Sequence, residues 1–232
     1  MEDRYDLETA AAWILGHARN TGIPDLPEEV RRRTADACSE EEKRRIIAAG
    51  QAAGLKLYPF KLGTQTLART RKTLGFLRSV PFESMLDVGS GRGVFLFPFM
   101  REFSRVPVTS LDILEKRVTL LNAIHDGGVE NLSALNASIC DWDAPDGSFD
   151  VVTLLEVLEH IPDVQLAIKN AVRLARRYVV VTVPSKPDDN PEHIHLLTKP
   201  VLTELFHNVG CDNLRFDGVP GHLFMLAKTG EE

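Results

Sequence analysis

Two carboxylates and an imidazole stand within five residues in Leu155-Glu156-Val157-Leu158-Glu159-His160-Ile161-Pro162. In a helical turn Glu156, Glu159 and His160 would sit at i, i+3 and i+4 and share a face. Further along, Glu192-His193-Ile194-His195 brings two more imidazoles, which share a side if that stretch is extended. Carboxylate oxygens mixed with imidazole nitrogens suit Mg²⁺, Mn²⁺ or Zn²⁺. A cation held there would bind a substrate hydroxyl and ease loss of its proton. Without a cation, the same groups make an acid–base set. The spacing leaves both readings open. The expected metal ligands are Glu156, Glu159, His160, His193 and His195, and the first three are also the catalytic candidates. His125, His207 and His222 lack such company and read as surface or capping residues.

A second candidate is the loop Asp87-Val88-Gly89-Ser90-Gly91-Arg92-Gly93. Glycines after a short strand let the backbone turn sharply and approach a ligand closely. A glycine triplet alone also fits a dinucleotide site. Here the spacing is GxGxG, and an acid, Asp87, stands two residues before the first glycine. A carboxylate there repels a pyrophosphate and welcomes an ammonium group such as that of a methionine moiety. Asp112, nineteen residues past Gly93, can accept both hydroxyls of a ribose or can cap the following helix.

The elements that would position these residues begin near Pro81. Strands are expected at Ser84–Val88, Val106–Leu111, Leu132–Asn136, Phe149–Leu155, Tyr178–Val183, Asn213–Asp217 and Leu223–Lys228. Helices are expected between them at Gly93–Phe103, Glu115–His125, Val164–Ala175 and Lys199–Val209. This alternation predicts an α/β fold: a doubly wound, mostly parallel seven-stranded sheet. Both candidate clusters then follow strands, at the carboxyl edge where such sheets bind ligands. The turn Gly218-Val219-Pro220-Gly221 is too short for a parallel crossover, so the sheet should end with an antiparallel edge strand. Upstream, Leu7–Arg19, Arg44–Leu57 and Gly63–Leu77 read as helices, with a capping box at Ser39 and Glu42 before the second. Residues 1–80 are therefore expected to be a helical extension or lid, and residues 81–232 the ligand-binding domain.

Met85–Gly93, Asp112, Asp141-Trp142 and Phe149–Leu155 resemble the successive motifs of class I S-adenosylmethionine (SAM)-dependent methyltransferases, over about Pro81 to Lys228. The resemblance implies a Rossmann-like fold and SAM as cofactor. It implies cofactor contacts at Asp87, Gly89, Ser90, Gly91, Gly93, Asp112, Ile113, Asp141, Trp142 and Glu156. Asp141 would reach the adenine amine, although it also reads as a loop residue, and Trp142 as a core anchor. The Glu-x-x-Glu-His segment resembles ubiquinone-biosynthesis O-methyltransferases. Together with His193–Thr198 it also resembles small-RNA 3′-terminal ribose 2′-O-methyltransferases. In both families the acids and the histidine are metal ligands, which implies Glu156, Glu159 and His160 here. The RNA family's Pro-Asn step is replaced by Pro184-Ser185-Lys186-Pro187-Asp188-Asp189-Asn190, and the two acids disfavour RNA.

Charge is uneven along the chain. Nine Lys/Arg and no Asp/Glu lie between Lys43 and Val80, whereas the chain from Pro81 onward has a net charge of −9. The basic stretch could attract an anionic substrate or nucleic acid, or be a solvated helix face. No apolar run is long enough to span a membrane. Three scattered cysteines without a CxxC pair fit free thiols of a cytoplasmic protein and argue against a cysteine-bound zinc. The expected activity is O-methylation of a small hydroxylated molecule, with or without a divalent metal. The alternatives are RNA ribose 2′-O-methylation and a SAM-binding scaffold without catalysis.

Overall fold

Seven strands form one mixed sheet: β1 (Met85–Val88), β2 (Val108–Asp112), β3 (Leu132–Asn136), β4 (Phe149–Leu155), β5 (Ala175–Pro184), β6 (Leu214–Val219) and β7 (His222–Lys228). The structure, a computed structural model, describes residues 5–65, 67–187 and 189–230. Strand order is β3-β2-β1-β4-β5-β7-β6, with β7 running against its neighbours. This is the expected mostly parallel α/β sheet. The edge strand β6 pairs antiparallel with β7, as the short turn requires, and β7 is also antiparallel to β5. The β6–β7 turn is tighter than the sequence suggests, with Val219 paired to His222 across Pro220-Gly221.

The helices are α1 (Leu7–Thr21), α2 (Glu28–Arg31), α3 (Glu40–Ala52), α4 (Ala68–Leu77), α5 (Leu96–Glu102), α6 (Glu115–Asp126), α7 (Val164–Leu174) and α8 (Lys199–His207). The α3 helix starts where its capping box dictates: Ser39 Oγ accepts from Glu42 N, and the Glu42 carboxylate accepts from Ser39 N. Gly93 is too early a start for α5, because its φ of 75° is left-handed and the helix begins at Leu96. The helix expected from Gly63 likewise begins at Ala68, after a 3₁₀ turn over Leu62–Gln65.

Two compact units divide the chain, one of Met1–Thr66 with Gly91–Asn136 and one of Leu67–Ser90 with Ala137–Glu232. In the first unit α1 is a core helix: Ala10, Ala11, Ala12, Ile14, Leu15 and Ala18 are fully buried. It crosses α6 with backbone in contact. A Cβ on Gly16 would lie 1.9 Å from the Ala123 carbonyl oxygen, so only glycine fits. In the second unit β5 carries Val179-Val180-Val181-Thr182-Val183, all buried, the near-continuous apolar run of a strand covered on both faces. Parallel register sets Asp87 beside Thr153 and Leu155 beside Thr182, and antiparallel register sets Pro184 beside His222.

Much of the basic stretch is neutralised locally. Arg44 and Arg45 pair with Glu40 and Glu41 one turn back along α3, Lys43 with Glu8, and Lys72 with Asp217. Exposed pairs of this kind add about 0–1 kcal/mol each, but they reduce the field that an anionic partner would meet.

Candidate active site

The chain leaves β4 through Glu156 and makes one 3₁₀ turn, Leu158–His160, closed by His160 N donating to the Val157 carbonyl (3.0 Å) and Ile161 N to that of Leu158 (3.2 Å). The segment after β5 is stitched to this turn. Ile194 N donates to the Glu159 carbonyl (2.9 Å), and His160 Nδ1 lies 2.9 Å from the Glu192 carbonyl. His195 Nε2 lies 3.0 Å from the Ile161 carbonyl. A carbonyl only accepts, so Nδ1 of His160 carries a proton there, and in the neutral ring Nε2 keeps its lone pair.

These bonds bring three of the five expected ligands together. Ligand atoms of Glu159, His160 and His193 all lie within 4.8 Å of one another. The His160 and His193 rings meet edge to face at 4.7 Å. Glu159 is fully buried, a costly place for a carboxylate unless positive charge compensates it, as the imidazoles or a divalent cation would. One carboxylate and two imidazoles form a donor set used by catalytic zinc, and the Nδ1–carbonyl bond of His160 is the outer support such ligands need. Ligands 2.0–2.1 Å from a tetrahedral ion are about 3.3 Å apart, so modest contraction would seat one. The residues fit a cation.

Glu156 and His195 stand elsewhere. His195, whose Nε2 lies by the Ile161 carbonyl, is not among the grouped ligand atoms. Glu156 has φ 60°, left-handed and uncommon for a residue with a Cβ. That twist takes it out of the turn, so Glu156 does not share a face with Glu159 and His160. Its backbone N donates to the Thr182 carbonyl (2.9 Å), its Oε1 accepts from Thr182 Oγ1 (2.8 Å), and its Oε2 is 2.9 Å from His222 Nε2. His222 is therefore no isolated surface residue. Sequence reasoning missed Thr182 and His222, whose roles depend on the β5–β7 register.

Asp87 is buried, with Oδ1 accepting from Thr153 Oγ1 and Oδ2 from Ser90 Oγ, both at 2.6 Å. Gly89, at φ 66°, lies under Val157: a Cβ would sit 2.7 Å from Val157 Cγ2. The strand end, the glycine turn and the Glu156 segment are thus packed without slack.

In the other unit, Asp112 is also buried. Oδ1 accepts from Leu114 N (2.9 Å), while Oδ2 accepts from Gly91 N and faces Arg117, both at 3.3 Å. Ile113 beside it is 71% exposed, unusual for a large apolar side chain and suited to a ligand face. Gly91 and Gly93 continue the turn, and Arg92 lies over the half-exposed Tyr58 ring at 5.7 Å.

The loop bearing Asp141 is held by Asn170, whose side-chain amide donates to the carbonyls of Ile139 (2.8 Å) and Cys140 (3.1 Å). Asp141 is exposed. Trp142 packs on Phe149, the first residue of β4, about 20 Å along the strand from Glu156. That is a core-anchor position. Burial pushes the Cys140 thiol up from its ordinary range, and Asp163 and Asp141 add to the shift, so it is a poor nucleophile at neutral pH. Asp189 is exposed, and Asp188 lies outside the described residues.

Residues 63–215 match the family model described as a methyltransferase domain. The chain is 30% identical over 94 residues to the ubiquinone biosynthesis O-methyltransferase of Pectobacterium atrosepticum, covering 40% of this chain and 39% of that protein. It thus spans about two-fifths of the length of the curated relatives it matches. Among solved structures it resembles a putative sarcosine dimethylglycine methyltransferase from Galdieria sulphuraria, with a TM-score of 0.59, 15% identity and coverage of 78% of this chain and 90% of that one. It also resembles a SAM-dependent methyltransferase from Aquifex aeolicus, with a TM-score of 0.53, 18% identity and coverage of 70% and 90%.

Proposed function

Because the chain belongs to the methyltransferase-domain family, within the class I SAM-dependent methyltransferases, we propose that it transfers the SAM methyl group to a hydroxyl oxygen of a small molecule, with Glu159, His160 and His193 as the acceptor-activating set. The observation that carries this reading is the convergence of those three side chains at the carboxyl edge of β4 and β5. O-methylation in ubiquinone biosynthesis is the activity named for the curated relatives, which supports an oxygen acceptor.

SAM supplies a methyl group already activated on a sulfonium, so the protein has to orient the acceptor, exclude water and handle one proton. In this reading Asp87 and the turn from Gly89 through Ser90 and Gly91 to Gly93 take the methionine end. Asp112 takes the ribose, while Ile113 and Asp141 take the adenine. All of these cofactor contacts would lie within residues 81–232. His160, whose Nδ1 lies by the Glu192 carbonyl, would take the hydroxyl proton on Nε2. The methyl group would pass to that oxygen in one displacement, the carbon–sulfur pair staying on sulfur, and Glu159 would balance the charge gained by the imidazole. Glu159, His160 and His193 would equally hold a divalent cation, which when bound supplies Lewis-acid polarisation of the acceptor oxygen.

Incubation with methyl-labelled SAM and a panel of catechols and other hydroxylated aromatics, with and without chelator, tests the reading. Label should appear on an acceptor oxygen. Binding of SAM with no transfer to any hydroxyl would reduce the chain to a cofactor-binding scaffold.

A further inference from the structure

Resting on the cation reading of Glu159, His160 and His193, we propose that His222 is a positioning residue that locks Glu156 outside the cation site, so that Glu156 is not a metal ligand in this chain. This departs from the ligand set that the resemblance implies. Four contacts carry it. The backbone of Glu156 is fixed in a left-handed twist by its N–H bond to the Thr182 carbonyl. Oε1 takes the Thr182 hydroxyl, and Oε2 takes His222 Nε2. The other ring nitrogen of His222, Nδ1, is 3.0 Å from the Pro220 carbonyl, so the ring is held between two acceptors.

The clamp joins three strands. Thr182 lies on β5 and His222 opens β7, opposite Pro184 of β5. Pulling the Glu156 side chain toward Glu159 would break both of its side-chain contacts at once and leave the Thr182 hydroxyl and the mostly buried His222 ring without their carboxylate. The geometry therefore separates two acid–imidazole units at one sheet edge. Glu159, His160 and His193 would hold the cation, and the Glu156–His222 unit fixes the end of β4.

Mn²⁺ titration of the chelator-stripped full chain, followed by electron paramagnetic resonance, tests the assignment beside thermal melting without metal. Glu159→Gln and His193→Ala should weaken Mn²⁺ binding by more than about tenfold, while Glu156→Gln and His222→Ala change it by less than about threefold. In metal-free melts Glu156→Gln and His222→Ala should each lower Tm, with the double variant no lower than the worse single one, because the two act through one contact. His222→Gln, which keeps a donor for Glu156, should recover part of the loss. A tenfold loss of Mn²⁺ affinity in Glu156→Gln, or fully additive melting shifts, would overturn the proposal. Failure of the unmutated chain to bind Mn²⁺ would remove the cation reading, and the melting cycle alone would then decide the clamp.

Discussion

Oε2 of Glu156 lies 2.9 Å from Nε2 of His222, which joins a left-handed residue at the end of β4 to the first residue of β7. Neither residue is within five positions of the other's element in sequence order, so only the folded sheet creates the pair. Its presence moves Glu156 away from the Glu159–His160–His193 cluster and divides what reads as one acidic–histidine segment into two units with different duties.

Glu159 serves the acceptor step in this account. Glu159→Gln should therefore leave SAM affinity within about threefold while turnover falls by about 10²–10⁴-fold, the usual range for losing an acid–base partner. Calorimetric SAM titration beside initial rates separates the two effects. A large loss of SAM affinity would place the cluster on the cofactor side.

Asp87 should behave in the opposite way. Its carboxylate is pre-set by Thr153 and Ser90, and the ammonium of SAM is its assigned partner. Asp87→Asn removes the charge but retains an oxygen for one hydroxyl, so the fold should persist while SAM binding weakens by about tenfold or more. Far-ultraviolet circular dichroism and titration of the same sample check both halves.

At Gly89 any side chain meets Val157 and a left-handed backbone together. Gly89→Ala should cost about 1–3 kcal/mol of stability, read from urea unfolding, and should also lower SAM affinity. A neutral result would mean that Val157 yields freely.

The capping box of α3 gives a pH test. Arg33, hydrogen-bonded to the Glu42 carboxylate, together with the Ser39 backbone and hydroxyl, holds Glu42 down to about 2. A carboxylate lowered on folding stabilises fully above its ordinary range and loses that contribution as the pH falls from about 4.5 toward 2. The unfolding-midpoint difference between Glu42→Gln and the unmutated chain should therefore shrink steadily over that window and be constant above pH 6.

Much of the frame was legible in the sequence, because local physics decides it. The apolar run Phe149–Leu155 becomes β4, Ser39 and Glu42 cap α3, and the Gly/Pro turn forces a hairpin. Glu159, His160 and His193 could be paired in advance because both segments follow adjacent strands. Thr182 and His222 could not, since their meeting with Glu156 depends on a hairpin register and a left-handed residue that no spacing reveals. Trp142 kept two readings until its packing on Phe149 placed it by the amino end of β4. The helical turn expected over Glu156–His160 shrank to Leu158–His160 for the same reason that Glu156 left it: its φ is positive.

The most direct test of the central claim is transfer of labelled methyl from SAM to a catechol panel by the unmutated chain and by His160→Ala, with SAM affinity measured in parallel. The account predicts label on an acceptor oxygen, a loss of at least about 10²-fold in the variant, and SAM affinity unchanged within about threefold. Equal turnover by the two proteins, or no SAM binding by the unmutated chain, would contradict it.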